Sequence, residues 1–215
     1  MSARDRILSR LRANVGATNL GARPTSTDRR HMLPLPEMDP DERLAHFVSE
    51  AEQLGCFVYQ MDANEAIEQI MDLLDGDRSV LSWSDDHLPL DNLHTALDSL
   101  GVSIAEPDDG NIRVGITGLT AALAATGSLV LESGAGRPRS ASLLPDRHIA
   151  LMTPDQLHTD LEDWQAAQKA SAYPAFRGAS NTVIVTGPSK TADIGHQLVK
   201  GAHGPRELHI LILRS

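Results

Sequence analysis

Cys56 is the only cysteine in this chain of 215 residues. One thiol excludes an internal disulfide, and it excludes an iron–sulfur cluster or zinc site built from the chain's own thiolates. Aromatic residues make up only 3% of the sequence, and Trp83 and Trp164 stand too far apart to suggest a stacking platform. No apolar run approaches the roughly 20 residues needed to cross a bilayer. Arg4, Arg6, Arg10 and Arg12 interrupt the N-terminus where a secretory signal would need an apolar core. A cytoplasmic protein without a membrane span is therefore expected.

Cations are scarce where acids are plentiful. Residues 31–112 hold only Arg43 and Arg78 against nineteen acids, whereas residues 113–215 hold ten Lys and Arg against eight. Seven arginines crowd the first thirty residues. The net charge of −10 leaves no broad basic face for duplex nucleic acid, so nucleic acid is not an expected partner. Cations gathered near glycine motifs in an acidic protein suit a small anion better.

Those motifs lie in the second half. Residues 187–194 read Gly187-Pro188-Ser189-Lys190-Thr191-Ala192-Asp193-Ile194, followed by Gly201-Ala202-His203-Gly204-Pro205-Arg206. Apolar runs at 182–185 and 208–213 bracket them and predict buried strands. An earlier counterpart runs Gly115-Ile116-Thr117-Gly118, then Thr126-Gly127-Ser128 before an apolar stretch. Glycines admit a ligand close to the backbone, and hydroxyls, Lys190 and Arg206 supply donors for an anion. Lys190-Thr191 ends like a nucleotide P-loop, but the glycine before the lysine is missing, which excludes an ATPase of that kind. Two readings of 187–193 stay open. Either backbone N–H groups and the Ser189 and Thr191 hydroxyls hold a carboxylate or phosphate, or a Gly-Pro turn leads to a helix capped by Asp193. Likewise Arg206 either faces the ligand or pairs with Asp193. Arg137, Arg139 and Arg147 flank residues 140–145; Arg139 reads as facing an anion and Arg147 as a surface residue. His203, between glycines, could act near neutral pH, although a loop histidine bonded to backbone is the commoner case. The histidines at 196, 203 and 209 have no metal-ligand spacing, so no metal is expected, and Cys56 at a strand start is expected buried rather than nucleophilic.

Alternation of helical and strand patterns predicts an α/β protein with a mostly parallel, helix-covered sheet. A short helix over residues 2–14 and an irregular arm occupy residues 1–40, ahead of one domain over 41–215. Asp39-Pro40 and the Asp62/Glu65 pair mark helix starts. Strands are expected near 56–59, 79–83, 102–105, 113–116, 128–132 and 148–152, a small-residue helical turn over 119–125, and a helix over 154–170. Thr117, Gly127 and Ser189 should line one cleft beyond the strand ends of a single sheet.

Five ordered blocks within residues 113–213 resemble the LUD domain, and the chain as a whole is similar to the lactate utilization protein C (LutC/YkgG) group. They are the two glycine motifs at 115–118 and 126–129, Ser142-Leu143-Leu144-Pro145 with His148-Ile149-Ala150, the 187–194 block, and His203-Gly204-Pro205-Arg206. The resemblance implies a fold like ribose-5-phosphate isomerase, CoA transferases and 5-formyltetrahydrofolate cycloligase. It also implies a part in oxidising L-lactate to pyruvate beside iron–sulfur partner subunits, with no cofactor of its own. Read from the residues themselves, the candidate ligand-binding set is Thr117, Gly118, Thr126, Gly127, Arg139, Gly187, Ser189, Lys190, Thr191, His203, Gly204 and Arg206; no catalytic residue is assigned. An acid usually precedes Thr-Gly in the family, and Ala125 stands there. A stand-alone enzyme on a phosphorylated or carboxylated metabolite, or a purely structural subunit, are the alternative functions.

Overall fold

The computed structural model describes residues 3–17, 36–191 and 199–214. Contacts divide the chain into two compact units, residues 1–34 and 35–215. The first contributes helix α1 (Ala3–Ala17), whose Ile7 is exposed. Most of the expected irregular arm, the first residue of the expected 2–14 helix and Asp193 lie outside the described residues.

In the second unit, helix α2 (Pro40–Gln53) begins as its sequence dictates. The Asp39 carboxylate accepts from the Glu42 N–H, Glu42 reaches back to the Asp39 N–H, and Pro40 stands where no donor is needed. Leu44, Phe47 and Ala51 are its buried face. Strand β1 (Phe57–Met61) follows, and Asp62 with Glu65 repeats the reciprocal cap at the start of α3 (Ala63–Leu74). Next come β2 (Ser79–Ser82), α4 (Leu93–Ser99), β3 (Ser103–Ile104) and β4 (Val114–Thr117). The later elements are β5 (Ala121–Leu123), β6 (Ser128–Ser133), α5 (Ser140–Leu143), β7 (Arg147–Met152), β8 (Leu157–His158), α6 (Leu161–Ala170) and α7 (Pro174–Gly178). They end with β9 (Asn181–Val185), β10 (Lys190–Thr191), β11 (Val199–Lys200) and β12 (Glu207–Leu213).

Six strands form a wholly parallel sheet in the order β1-β12-β7-β4-β2-β3. The last strand is thus inserted between the first and the seventh. Its run Ile210, Leu211 and Ile212 is fully buried, as a strand covered on both faces requires. Register fixes which residues share a face. Gly115 pairs with His148 and faces α5, while Val114, Arg147 and Glu207 face the opposite side, where Arg147 reaches the Leu73 carbonyl of α3.

The single sheet expected from the sequence is corrected to three. A second sheet, β8-β5-β6-β9, is mostly antiparallel, and β10 with β11 forms a small ribbon. Residues 121–123, read as a helical turn, form β5 because pairing with β6 and burial of Ala121 and Ala122 override the helical preference of alanine. The helix expected from 154 begins only at Leu161, where the Asp160 carboxylate accepts from the Asp163 N–H. Residues before it make a turn and β8, which pairs with β5. Trp164 and Ala175 cover this second sheet through Leu123 and Val130.

Candidate functional site

Residues 187–191 and 199–206 are zipped together before β12. Lys190 pairs with Lys200 and Thr191 with Val199. The Ser189 N–H donates to the Pro205 carbonyl at 2.8 Å, the Gly201 N–H to the Ser189 carbonyl at 3.0 Å, and the His203 N–H to Ser189 Oγ at 3.3 Å. Ser189 therefore organises the loop with its own backbone. The Gly204 backbone lies against Ser189 and Leu143 of α5, and His203 is exposed.

Helix α2 gathers both glycine motifs at its C-terminal end. A Cβ on Gly127 would lie 2.5 Å from the Ala51 nitrogen, and one on Gly187 would lie 3.1 Å from Leu54 Cβ. Lys190 Nζ donates to the Leu54 carbonyl, placing a cation at the negative end of the helix dipole. A hydroxyl chain runs alongside, from Thr126 Oγ1 to Ser128 Oγ (2.7 Å) and on to Thr186 Oγ1 (2.8 Å). The motifs do meet, but they meet by packing on a helix.

Cys56, just past α2, is buried, and burial pushes its thiol up to about 11 while Lys190 pulls the other way. The native protein should therefore resist alkylation by iodoacetamide at pH 8, and denaturant should expose one reactive thiol. Rapid modification of folded protein would contradict this placement.

Thr117 and Gly118 join neither group. Thr117 is fully buried at the end of β4 and shares a 2.8 Å hydrogen bond with His148 Nε2, so it does not line the expected cleft. A Cβ on Gly118 would overlap the His87 carbonyl oxygen. Arg139 is exposed at the start of α5.

Arg206 marks the open part of the arrangement. Its side chain lies across Gly201: a Cβ there would come within 2.1 Å of Arg206 Cγ and 2.8 Å of Nε, and φ at Gly201 is +79°. Arg206 Nε faces Asp146 Oδ1 at 3.4 Å, both side chains being more than half exposed. Beside it is a cavity of about 200 Å³ lined by Asp77, Arg113, Val114, Asp146, Arg147, Arg206 and Glu207. It opens at the amino ends of β4, β7 and β12, opposite to where open parallel sheets usually hold ligands. A cavity of about 290 Å³ does lie at the carboxyl ends, beside Thr153, Asp155 and Arg214, but Arg214 already donates to Gln60.

One wall of the amino-end cavity continues into a polar chain. Arg147 Nε donates to Glu207 Oε2 at 2.6 Å. His209 Nε2 lies 3.3 Å from the same oxygen, and Tyr59 Oη lies 3.4 Å from His209 Nδ1. A carboxylate accepts only, so neutral His209 carries its proton on Nε2 and takes one from Tyr59 at Nδ1. Phe57 stacks on the imidazole at 4.7 Å. The hydrogen bond from Arg147 holds Glu207 below the usual carboxylate range, and burial pushes His209 down against the pull of Glu207. Asp77, Arg113, Glu207, His209 and Tyr59 belong to no motif in the sequence, and Arg147 lines the cavity where the sequence pattern favours Arg139. The available signal was that Arg113, Arg147 and Glu207 each stand at the start of an apolar run.

Among the described residues, no group of three or more His, Cys, Asp or Glu side chains is placed to hold a metal ion. No helix among them is long and apolar enough to cross a membrane.

The family model of the LUD domain matches residues 44–213. A lactate utilization protein C from Halalkalibacterium halodurans is 30% identical over 157 residues, covering 69% of this chain and 68% of that protein. A second, from Macrococcus caseolyticus, is 32% identical over 66% of this chain and 64% of its own length. An uncharacterized protein of Neisseria meningitidis serogroup B is 36% identical over 105 residues, only 43% of its length. The crystal structure of a DUF162 family protein from Deinococcus radiodurans superposes with a TM-score of 0.58, covering 83% of this chain and all of that one. At 19% identity that likeness speaks for the α/β fold alone.

Proposed function

Because the chain belongs to the LUD domain family, we propose that it serves lactate utilization as one component of a system oxidising L-lactate to pyruvate. In this reading it binds a small anion at the 187–206 loop and acts with iron–sulfur partner subunits in the cytoplasm. The relatives named lactate utilization protein C support the pathway. The observation that carries the anion site is Arg206, cradled by Gly201 at the mouth of a cavity with two further guanidinium groups. Oxidation of lactate releases two electrons, and a chain with one buried thiol has no thiolate set to receive them on a cluster of its own. The electrons then pass to clusters on the partners. Of the residues expected to bind the ligand, Arg206 takes the leading part, with Gly204, His203 and Thr191 shaping the loop, while Ser189 and Lys190 are engaged internally.

Deleting the gene in the source organism should abolish growth on L-lactate but not on glucose, and a plasmid copy should restore it. Gly201→Ala should mimic Arg206→Ala, because the added methyl displaces the arginine. Loss of one charge-assisted bond, worth about 1.5–3 kcal/mol, should weaken anion binding by roughly ten- to a hundredfold in either variant. Arg206→Ala should melt near the parent, since an exposed ion pair stabilises little, whereas Gly201→Ala should melt lower, because an alanine at φ +79° carries a backbone cost of about 1 kcal/mol or more. Unimpaired growth of the deletion strain on L-lactate would overturn the proposal.

A further inference from the structure

We propose that the cavity at the amino ends of β4, β7 and β12 binds a small 2-hydroxy monocarboxylate and distinguishes it from the 2-oxo acid of the same skeleton. The inference rests on the reading above and specifies its ligand. Size narrows the field first: about 200 Å³ falls below the roughly 300–1,000 Å³ of sites that take drug-sized ligands, which suits a few heavy atoms and not a nucleotide or coenzyme A. Charge narrows it next. Arg113, Arg147 and Arg206 are matched by Asp77, Asp146 and Glu207, so the lining is neutral and a monoanion fits better than a phosphorylated dianion.

The three ion pairs are not equivalent. Arg147 is held at 2.6 Å by Glu207 and also bonds the Leu73 carbonyl. Arg113 and Arg206 are more than half exposed and face their carboxylates at 3.6 and 3.4 Å, beyond good hydrogen-bond distance. These two are free to turn to a ligand carboxylate without breaking a strong bond. Glu207 decides the rest. Arg147 and His209 both engage its Oε2, and Oε1 receives no hydrogen bond among the described residues. An ionised carboxylate oxygen only accepts, so it takes the hydroxyl proton of a 2-hydroxy acid and repels the keto oxygen of a 2-oxo acid. Tyr59 and His209 act as positioning residues that hold Glu207 in place from behind.

The test is calorimetric titration of the full chain with L-lactate, pyruvate and inorganic phosphate. L-lactate should bind at least tenfold more tightly than pyruvate, and phosphate should not compete. Arg113→Ala, at an exposed position, should weaken both acids by roughly tenfold while the preference survives. Glu207→Gln, whose amide can donate to a keto oxygen, should shrink or reverse the preference. Should that variant fold poorly, the imidazole nitrogen resonances of His209 in the unaltered chain provide a second readout, shifting on addition of L-lactate. Equal affinity for the two acids, displacement by phosphate, an inert Arg113→Ala or unmoved His209 resonances would each overturn the proposal. Failure here with lactate-dependent growth intact leaves the pathway reading standing; lactate binding without a growth phenotype removes the pathway reading and keeps the site.

Discussion

Gly127→Ala is expected to lower the melting temperature by about 6–12 °C, following a loss of roughly 3 kcal/mol. Two costs combine. At φ +58° the backbone is left-handed, which costs a residue with a side chain of the order of 1 kcal/mol or more. The new methyl would also stand 2.5 Å from the Ala51 nitrogen and 2.8 Å from its Cα. Those are backbone atoms of α2 and cannot rotate away, so the helix must move off the turn before β6. The effect is on folding, not on access of a ligand to the glycine as the motif alone suggests. A calorimetric melt within about 2 °C of the parent would show that α2 does not pack there.

The second large effect concerns acid. His148 is fully buried, and burial, helped by neighbouring His209, pushes it down to about 4. Between about pH 6.5 and pH 4 the unfolded chain holds a proton on His148 that the folded chain excludes. Stability is therefore highest above pH 6.5 and falls as the pH drops through this window, by about 3 kcal/mol in all. His209, lowered by burial, adds in the same direction. Glu207, lowered through Arg147, adds a loss as the pH falls through and below its ordinary range. His148→Gln retains a partner for the Thr117 hydroxyl and does not ionise. Melting temperatures measured from pH 7 to pH 4 should fall less steeply in this variant. Parallel curves for parent and variant would mean that His148 ionises freely in the folded protein.

Local features were legible in the sequence and long-range ones were not. Asp39 with Glu42, and Asp62 with Glu65, announce helix starts because capping joins residues three apart. The run at 208–213 announces a strand buried on both faces. By contrast, Ala121 to Leu123 takes its strand conformation from partners in β6 and β8. The 187–206 motif is readable as a loop, yet the reach of Lys190 to Leu54 depends on how distant segments dock. The cavity is the extreme case. Arg147 and Glu207 are sixty residues apart in sequence, and only the parallel register of β7 with β12 sets them side by side.

If an anion held by Arg206 serves lactate utilization, growth depends on that side chain. A strain lacking the gene, complemented with Arg206→Ala that has been shown to be folded and present at the parental level, should grow on glucose like the parent and fail or lag severely on L-lactate. Growth on L-lactate at the parental rate would mean that Arg206 holds no anion that lactate utilization needs.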